Sequence, residues 1–414
     1  MRYALAAIAL LAATPAAASD PIIDEAVEFT GQIFQLDTGV PGLVIAAVRG
    51  GESAVFGFGE IEKGSGREPD GDTRIGVGSV TKTFTGLSLA TLAADGAVSL
   101  TDPVGPHARV VDALPETDGR KIRLIDLATH SSGLPRELAD VDGVEKYSDE
   151  SFAANLSENP LLFAPGSGMA YSNVGFDVLA MALADIGGQD YAALLKSRVL
   201  DRIGLTSTGY DRPTGENAMT GYDWNGNEID PGEPIANRQG ASGLYTTAND
   251  MVRYLQWNLD RFGKDEAEVR AISHAAWLMR DGLTPVIGLD ESGHMNAMGL
   301  GWVIMMPEGD RPLIIQKAGG TNGVFSYLAF APSRDVGVFI AINQFNFAAG
   351  MEIPEQGTRS VARGGAVVTS TNDATAAWLN PALLSRIDGL MFVYSHNLMW
   401  VDSEFQRLSP DNDG

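Results

Sequence analysis

There is no cysteine in these 414 residues. Disulfides are therefore excluded, as are a lipid anchor on an N-terminal cysteine and zinc sites built on thiolates. Histidine is scarce. The five present, His107, His130, His274, His294 and His396, fall at no metal-ligand spacing, and no metal or cofactor is expected. Basic residues are outnumbered, 29 Lys and Arg against 53 Asp and Glu, for a formal net charge of -24. Such a balance disfavours nucleic acid and anionic membrane surfaces as partners, although a local basic site can sit inside an acidic surface. No Gly-x-Ser-x-Gly occurs, which argues against an α/β-hydrolase elbow. Long apolar runs are missing too: residues 4–13 and 391–400 are both too short to cross a bilayer, so the mature chain is expected to have no integral membrane span.

What is present begins with an address. Arg2 precedes the apolar run 4–13, then come Pro15 and the small residues Ala16, Ala17, Ala18 and Ser19. That is the pattern of a secretory signal peptide over 1–19, and it predicts export to the periplasm or beyond, with a mature start near Ser19 or Asp20. Apolar content of 44% and charge of 20% are ordinary for a soluble globular protein, and the length allows two domains or one large one. Periodicity predicts a helix over 20–36 and two strands over 41–49 and 52–58, joined at Gly50-Gly51. Helix-like spacing then dominates to about residue 260, in 83–94, 124–129, 151–156, 176–186, 191–200 and 249–259. Strands return over 300–306, 313–317, 324–331 and 336–343. Strands at both ends predict one antiparallel sheet made from both termini, with a mainly helical domain inserted.

The chemistry centres on Ser79-Val80-Thr81-Lys82, a Ser-x-x-Lys that occurs nowhere else in the chain. Three positions apart at the start of a helix, Ser79 and Lys82 share a face. The helix N-terminus favours developing negative charge. A serine hydroxyl is a poor nucleophile until a neighbouring base takes its proton, and the lysine can be that base or hold another base ionised. Two later stretches add to it. Tyr171-Ser172-Asn173 follows the turn Pro165-Gly166-Ser167-Gly168, and Lys317-Ala318-Gly319-Gly320 follows the apolar run 313–316, where the strand is expected to end.

Ser-x-x-Lys, Tyr-x-Asn and Lys-x-Gly in that order resemble the serine β-lactamase and penicillin-binding protein superfamily. The tyrosine of the second motif is similar to that of its class C β-lactamase-like branch. Leu134-Pro135-Arg136-Glu137 and Ile314-Ile315-Gln316-Lys317 resemble the D-alanyl-D-alanine carboxypeptidase/endopeptidase subgroup, and the likeness runs from about residue 40 to 345. The resemblance implies a β-lactamase/transpeptidase-like α+β fold, an antiparallel sheet flanked by helices plus an inserted helical domain. It implies Ser79 as nucleophile and acyl carrier, and Tyr171 as general base, alone or sharing a proton with Lys82. Asn173 would bind the substrate amide, and the N–H groups of Ser79 and Gly320 would form the oxyanion hole. Lys317 would bind substrate beside them. An ordinary tyrosine ionises near pH 10, so half ionisation at pH 7 needs about 4 kcal/mol. One cation at about 4 Å in an effective dielectric of about 20 supplies about that much. The expected boundaries are 20–75 with 261–350 for the sheet domain and 76–260 for the helical domain; 351–414 is left without a structural reading.

Two departures stand out. Ala318 sits where many relatives carry Thr or Ser, so the hydroxyl that would greet a substrate carboxylate is missing, with Thr321 or Asn322 as possible substitutes. Glu137 sits where class C β-lactamases place a glutamine near the acyl side chain, and its charge should disfavour acidic β-lactam side chains. His130 beside Ser131 and Ser132 invites a Ser–His reading, but it lies in a stretch the resemblance treats as structural. Asp223, Asn225, Asn227 and Asp230 read as a polar turn, not a calcium loop. The leading expectation is an exported DD-carboxypeptidase/endopeptidase acting on peptidoglycan peptide, with a β-lactam as alternative ligand. A β-lactamase or small-ester esterase of the same fold, and a catalytically silent binding module, are the alternatives. The last is disfavoured by an intact Ser79, Lys82, Tyr171, Asn173 and Lys317 set. Oligomeric state is not readable from the sequence.

Overall fold

The structure, a computed structural model, describes residues 21–344 apart from 108–113, 118, 159, 214 and 291. The candidate signal peptide over 1–19 and the segment 351–414 lie outside the described residues. Among those described, eight strands form one sheet: β1 (Gly42–Arg49), β2 (Glu52–Gly59), β3 (Leu278–Met279), β4 (Ala297–Met298), β5 (Val303–Met305), β6 (Ile314–Thr321), β7 (Val324–Ala331) and β8 (Val336–Ile342). Their order is β2-β1-β8-β7-β6-β5-β4-β3, and each pairing is antiparallel. The sheet thus joins strands from both ends of the described chain, with β1 beside β8, and the antiparallel sheet expected from the sequence is there.

Alternation along β1 shows why this run is a strand. Val44, Ala46 and Val48 enter the main core, while Leu43 and Ile45 enter a second cluster with Ile23, Val27 and Phe58. A period of two sends successive side chains to opposite faces, and both faces are covered here. Helix α1 (Pro21–Thr38) packs on β1 and β2 and supplies Ile23 and Val27.

Three more helices position the site: α2 (Thr81–Ala94), α3 (Asn173–Gly187) and α4 (Ala248–Leu259). α2 is buried from Thr81 to Leu92, hydroxyls included. Burying those hydroxyls is tolerable because they find backbone partners: Thr83 Oγ1 donates to Val80 O (2.8 Å), Thr85 Oγ1 to Gly240 O (2.7 Å) and Ser88 Oγ to Phe84 O (3.0 Å), while Thr81 Oγ1 accepts from Leu244 N–H (3.3 Å).

Two strand boundaries differ from the sequence expectation. The strand expected over 300–306 is confined to Val303–Met305, because Gly301 turns with a φ of +78° where the chain passes under α2. Gly86 on α2 makes room for it: a Cβ there would come 2.0 Å from Leu300 O. The strand expected over 313–317 instead runs on to Thr321, its added residues paired with β7.

Trp302 anchors the junction. It is fully buried, donates Nε1–H to Ser273 Oγ at 3.2 Å, and meets Phe330 edge-on at 5.3 Å. Trp302→Ala is expected to cost about 3–5 kcal/mol, read as a lower denaturant midpoint of unfolding. A change below 1 kcal/mol would remove Trp302 as the anchor.

Candidate active site

Ser79 lies in a one-turn 3-10 segment, Gly78–Val80, that runs directly into α2. This turn is pressed onto β6, and glycine on both sides makes that possible. Gly78 has a φ of +49°, and a Cβ on it would come 2.5 Å from Gly320 O. A Cβ on Gly319 would come 2.1 Å from Val77 O. The same close approach places the Gly320 amide nitrogen 2.6 Å from the space a Gly78 Cβ would fill. The Ser79 amide nitrogen lies 2.9 Å from the space a Gly319 Cβ would fill. The two amides expected to hold an oxyanion therefore flank one junction. Val77 pins the turn, donating N–H to Leu244 O (3.0 Å) and accepting from Ser326 Oγ (2.9 Å).

The Ser79 hydroxyl stands between two groups. Tyr171 Oη donates to Ser79 Oγ at 2.7 Å, and Lys82 Nζ lies 3.0 Å from the same oxygen. Tyr171 is held by backbone: its N–H donates to Ile287 O, and its neighbours Met169–Ala170 pair with Val286–Ile287. Ser172 caps α3, its Oγ accepting from Gly175 N–H at 2.8 Å. That frees the Asn173 side chain, otherwise a natural cap, to accept from Lys82 Nζ at 2.6 Å.

Lys82 is completely buried and makes two further donations, to Asn173 Oδ1 and to Ala241 O at 2.8 Å. Both partners are carbonyl oxygens. A neutral amine has two protons and one lone pair, so with both protons spent there the lone pair is left for Ser79. Burial holds Lys82 well below the ordinary lysine range, and the Lys317 ammonium adds to the effect. Asp177, and more weakly Glu137, oppose it, while Arg238 reinforces it. Lys82 and Lys317 lie 5.0 and 5.2 Å from the centre of the Tyr171 ring.

Glu137 does not stand alone at the cleft wall. Its carboxylate accepts from Arg238 Nη1 at 2.5 Å, from Asn173 Nδ2 at 2.5 Å and from Tyr147 Oη at 3.2 Å. Burial works against the ionised form, but the Arg238 and Asn173 hydrogen bonds outweigh it and hold Glu137 below the usual carboxylate range. An acidic acyl group meets an ion pair here, not an isolated anion.

Ser79, Glu137, Tyr171, Asn173, Lys317 and Gly320 all line one cleft of about 410 Å³. Thr321 and Asn322 line two neighbouring hollows instead. Three further residues belong to the arrangement. Arg238 joins Glu137 and lies 3.8 Å from Asp177. Asp177 is buried on α3 and accepts from Ala241 N–H at 2.9 Å; burial pushes it up to about 7, against the pull of Arg238 and Lys82. An acid one helical turn after Asn173, in the apolar run between Val174 and Ala184, is a legible signal; Arg238, at the end of a single 3-10 turn, offers none. His130 is buried, accepts Ser172 N–H on Nδ1 at 3.0 Å and stacks on Tyr171 at 4.5 Å. Burial, with Lys82 and Lys317 nearby, keeps it neutral, so it braces Tyr171 and does not contact Ser79 through any hydrogen bond described.

Comparison with known proteins agrees with this geometry. A family profile described as Beta-lactamase matches residues 20–362. A D-alanyl-D-alanine-carboxypeptidase/endopeptidase, AmpH of Escherichia coli K12, is 32% identical over 334 residues, covering 80% of this chain and 85% of that protein. A β-lactamase of Pseudomonas fluorescens is 25% identical, covering 78% of this chain and 94% of its own. Among solved structures, a β-lactamase/D-alanine carboxypeptidase from Yersinia pestis, complexed with citrate, superposes with a TM-score of 0.70. It is 29% identical, over 79% of this chain and 94% of that one. A class C β-lactamase from Rhodobacter sphaeroides, at 22% identity and a TM-score of 0.62 over 78% and 96%, shares the fold.

Proposed function

This chain belongs to the β-lactamase family of serine hydrolases, and on that premise we propose that it is an exported D-alanyl-D-alanine carboxypeptidase/endopeptidase acting on peptidoglycan peptides through a Ser79 acyl-enzyme. The observation that carries the acyl-transfer reading is the Ser79 hydroxyl held 2.7 Å from Tyr171 Oη and 3.0 Å from Lys82 Nζ. The 32% identity to a carboxypeptidase/endopeptidase supports the choice of substrate, and the leader-like residues 1–19 support export. In this reading residues 76–260 form the lobe carrying Ser79 and Tyr171, and 20–75 with 261–350 the sheet lobe carrying Lys317 and Gly320.

The proton route follows from the donor count. Neutral Lys82 takes the Ser79 proton as Oγ attacks the peptide carbonyl. The oxyanion accepts from the Ser79 and Gly320 N–H groups, whose positions are fixed before substrate arrives. Tyr171 gives its proton to the departing amine as the C–N bond breaks, leaving a phenolate and the Lys82 ammonium. The phenolate then takes the proton of the attacking water, and the ammonium returns its proton to Ser79 Oγ as the ester breaks. That step releases the acid and restores Ser79. Asn173 holds Lys82 and presents its amide edge to the cleft.

The deciding measurement is D-alanine release from a stem pentapeptide ending in D-Ala-D-Ala, set beside hydrolysis of the chromogenic cephalosporin nitrocefin. Faster turnover of the peptide is expected. Fast nitrocefin hydrolysis with no D-alanine release would move the chain to the β-lactamases, which other relatives are named as.

A further inference from the structure

Among the described residues, three cations and one anion line the Ser79 cleft: Arg136, Arg238 and Lys317 against Glu137. Their duties differ. Arg238 is held by Glu137 and lies along the Tyr147 ring, 4.3 Å from its centre. Lys317 donates to Ala318 O at 2.7 Å and lies over Tyr171. Arg136 also lies over Tyr171, its guanidinium carbon 4.8 Å from the ring centre. Gly288, with a φ of +69°, keeps that place open. A Cβ on it would stand 3.3 Å from Tyr171 Cβ, a tight approach, and 3.6 Å from Arg136 Nη1, in van der Waals contact with the guanidinium.

We propose that Arg136, together with Lys317, receives the carboxylate that a substrate carries on the leaving side of its scissile bond. This rests on the acyl-transfer reading above. In a peptide the terminal carboxylate is separated from the departing nitrogen by a single Cα. If Tyr171 protonates that nitrogen, the carboxylate must lie within a few ångströms of the Tyr171 hydroxyl, and Arg136 and Lys317 are the cleft cations gathered at that ring. Ala318 carries no hydroxyl to do the work from the strand. A guanidinium presents two parallel N–H groups to the two oxygens of a carboxylate, where an ammonium offers a point charge. The site would therefore select acyl donors with a carboxylate-bearing leaving group, free C-terminal peptides among them, over neutral esters and amides.

The test uses two thioesters with one acyl group, one leaving as thioglycolate and the other as its methyl ester. The reading is the ratio of kcat/KM within a single enzyme sample, so any misfolded fraction cancels. Wild type is expected to prefer the thioglycolate. Arg136→Gln should lower the ratio about thirtyfold, the size of a lost charge-assisted hydrogen bond, and Arg136→Lys should retain part of it. A wild type without preference overturns the proposal. So does an Arg136→Gln variant that slows both thioesters equally, since a mere prop for Tyr171 would do that. The pair requires only acyl transfer at Ser79. Loss of the ratio in a protein that releases no D-alanine would keep the anion site and reject the peptidase, and D-alanine release with an unmoved ratio would do the reverse.

Discussion

Ser79→Ala is expected to abolish covalent capture of penicillin and to lower turnover of any acyl substrate by about four to six orders of magnitude, the scale seen when a catalytic serine is removed. Intact mass of the purified protein after incubation with the drug reads it directly. An adduct on wild type and none on Ser79→Ala would identify the acyl carrier and show slow deacylation of the drug, as expected of a peptidoglycan peptidase. Drug consumed without an adduct would point to rapid deacylation and the β-lactamase alternative. Neither adduct nor consumption would remove the peptidase from first place. The substitution should leave the fold intact: Ser79 contributes one hydroxyl, and the turn around it is fixed by Val77, Gly78 and Gly319.

The second large effect concerns Lys82. Lys82→Met should cost about 10² to 10⁴ in kcat/KM on every substrate, because general-base assistance is lost whatever leaves. Tyr171→Phe should separate substrates. A peptide needs its leaving nitrogen protonated and should suffer fully, whereas p-nitrophenolate leaves unaided and its ester should suffer at least tenfold less. Equal losses would mean that Tyr171 is the base for attack as well. The pH dependence carries a sign. On the proposed route Lys82 acts as the neutral amine, so kcat/KM is expected to fall as pH drops through its pKa. Burial and the Lys317 ammonium hold that pKa well below the lysine range, which keeps the acid limb well below about pH 10.4. Lys317→Gln removes a repelling cation, the Lys82 ammonium becomes easier to form, and the limb should move to higher pH. A limb that stays in place would belong to another group, with Asp177 at about 7 the first to examine.

The parts of this site that could be read from sequence are those that chemistry ties to local spacing. Ser79 and Lys82 must lie one helical turn apart, and Tyr171 and Asn173 must sit at the mouth of α3, so motif and structure coincide. The strand at Lys317 runs past its expected end, although Gly319 and Gly320 are poor strand formers. Their small size instead serves the contact with Val77 and Gly78, a tertiary reason invisible along the chain. Glu137 is visible in the sequence, but Arg238 stands 101 positions later at the end of a 3-10 turn, and nothing local announces that the two pair. Thr321 was chosen for its hydroxyl, yet it continues β6 past the cleft and meets Gly76, its Cγ2 3.1 Å from where a Cβ on that glycine would stand.

The pairing of β1 with β8 also governs how the protein is born. Leu43 meets Ile342, 299 positions later by subtraction (342 − 43). A ribosome adding about 5–20 residues per second needs about 15–60 s to cover that span. Throughout, the β1–β2 hairpin waits with one edge unpaired, and the ladder that carries Lys317 and Gly320 toward Ser79 cannot close. Contacts of such long range make folding slow. The β1 edge is covered only after β8 has been made, and until then it presents unpaired N–H and C=O groups, the kind of edge that invites wrong pairing.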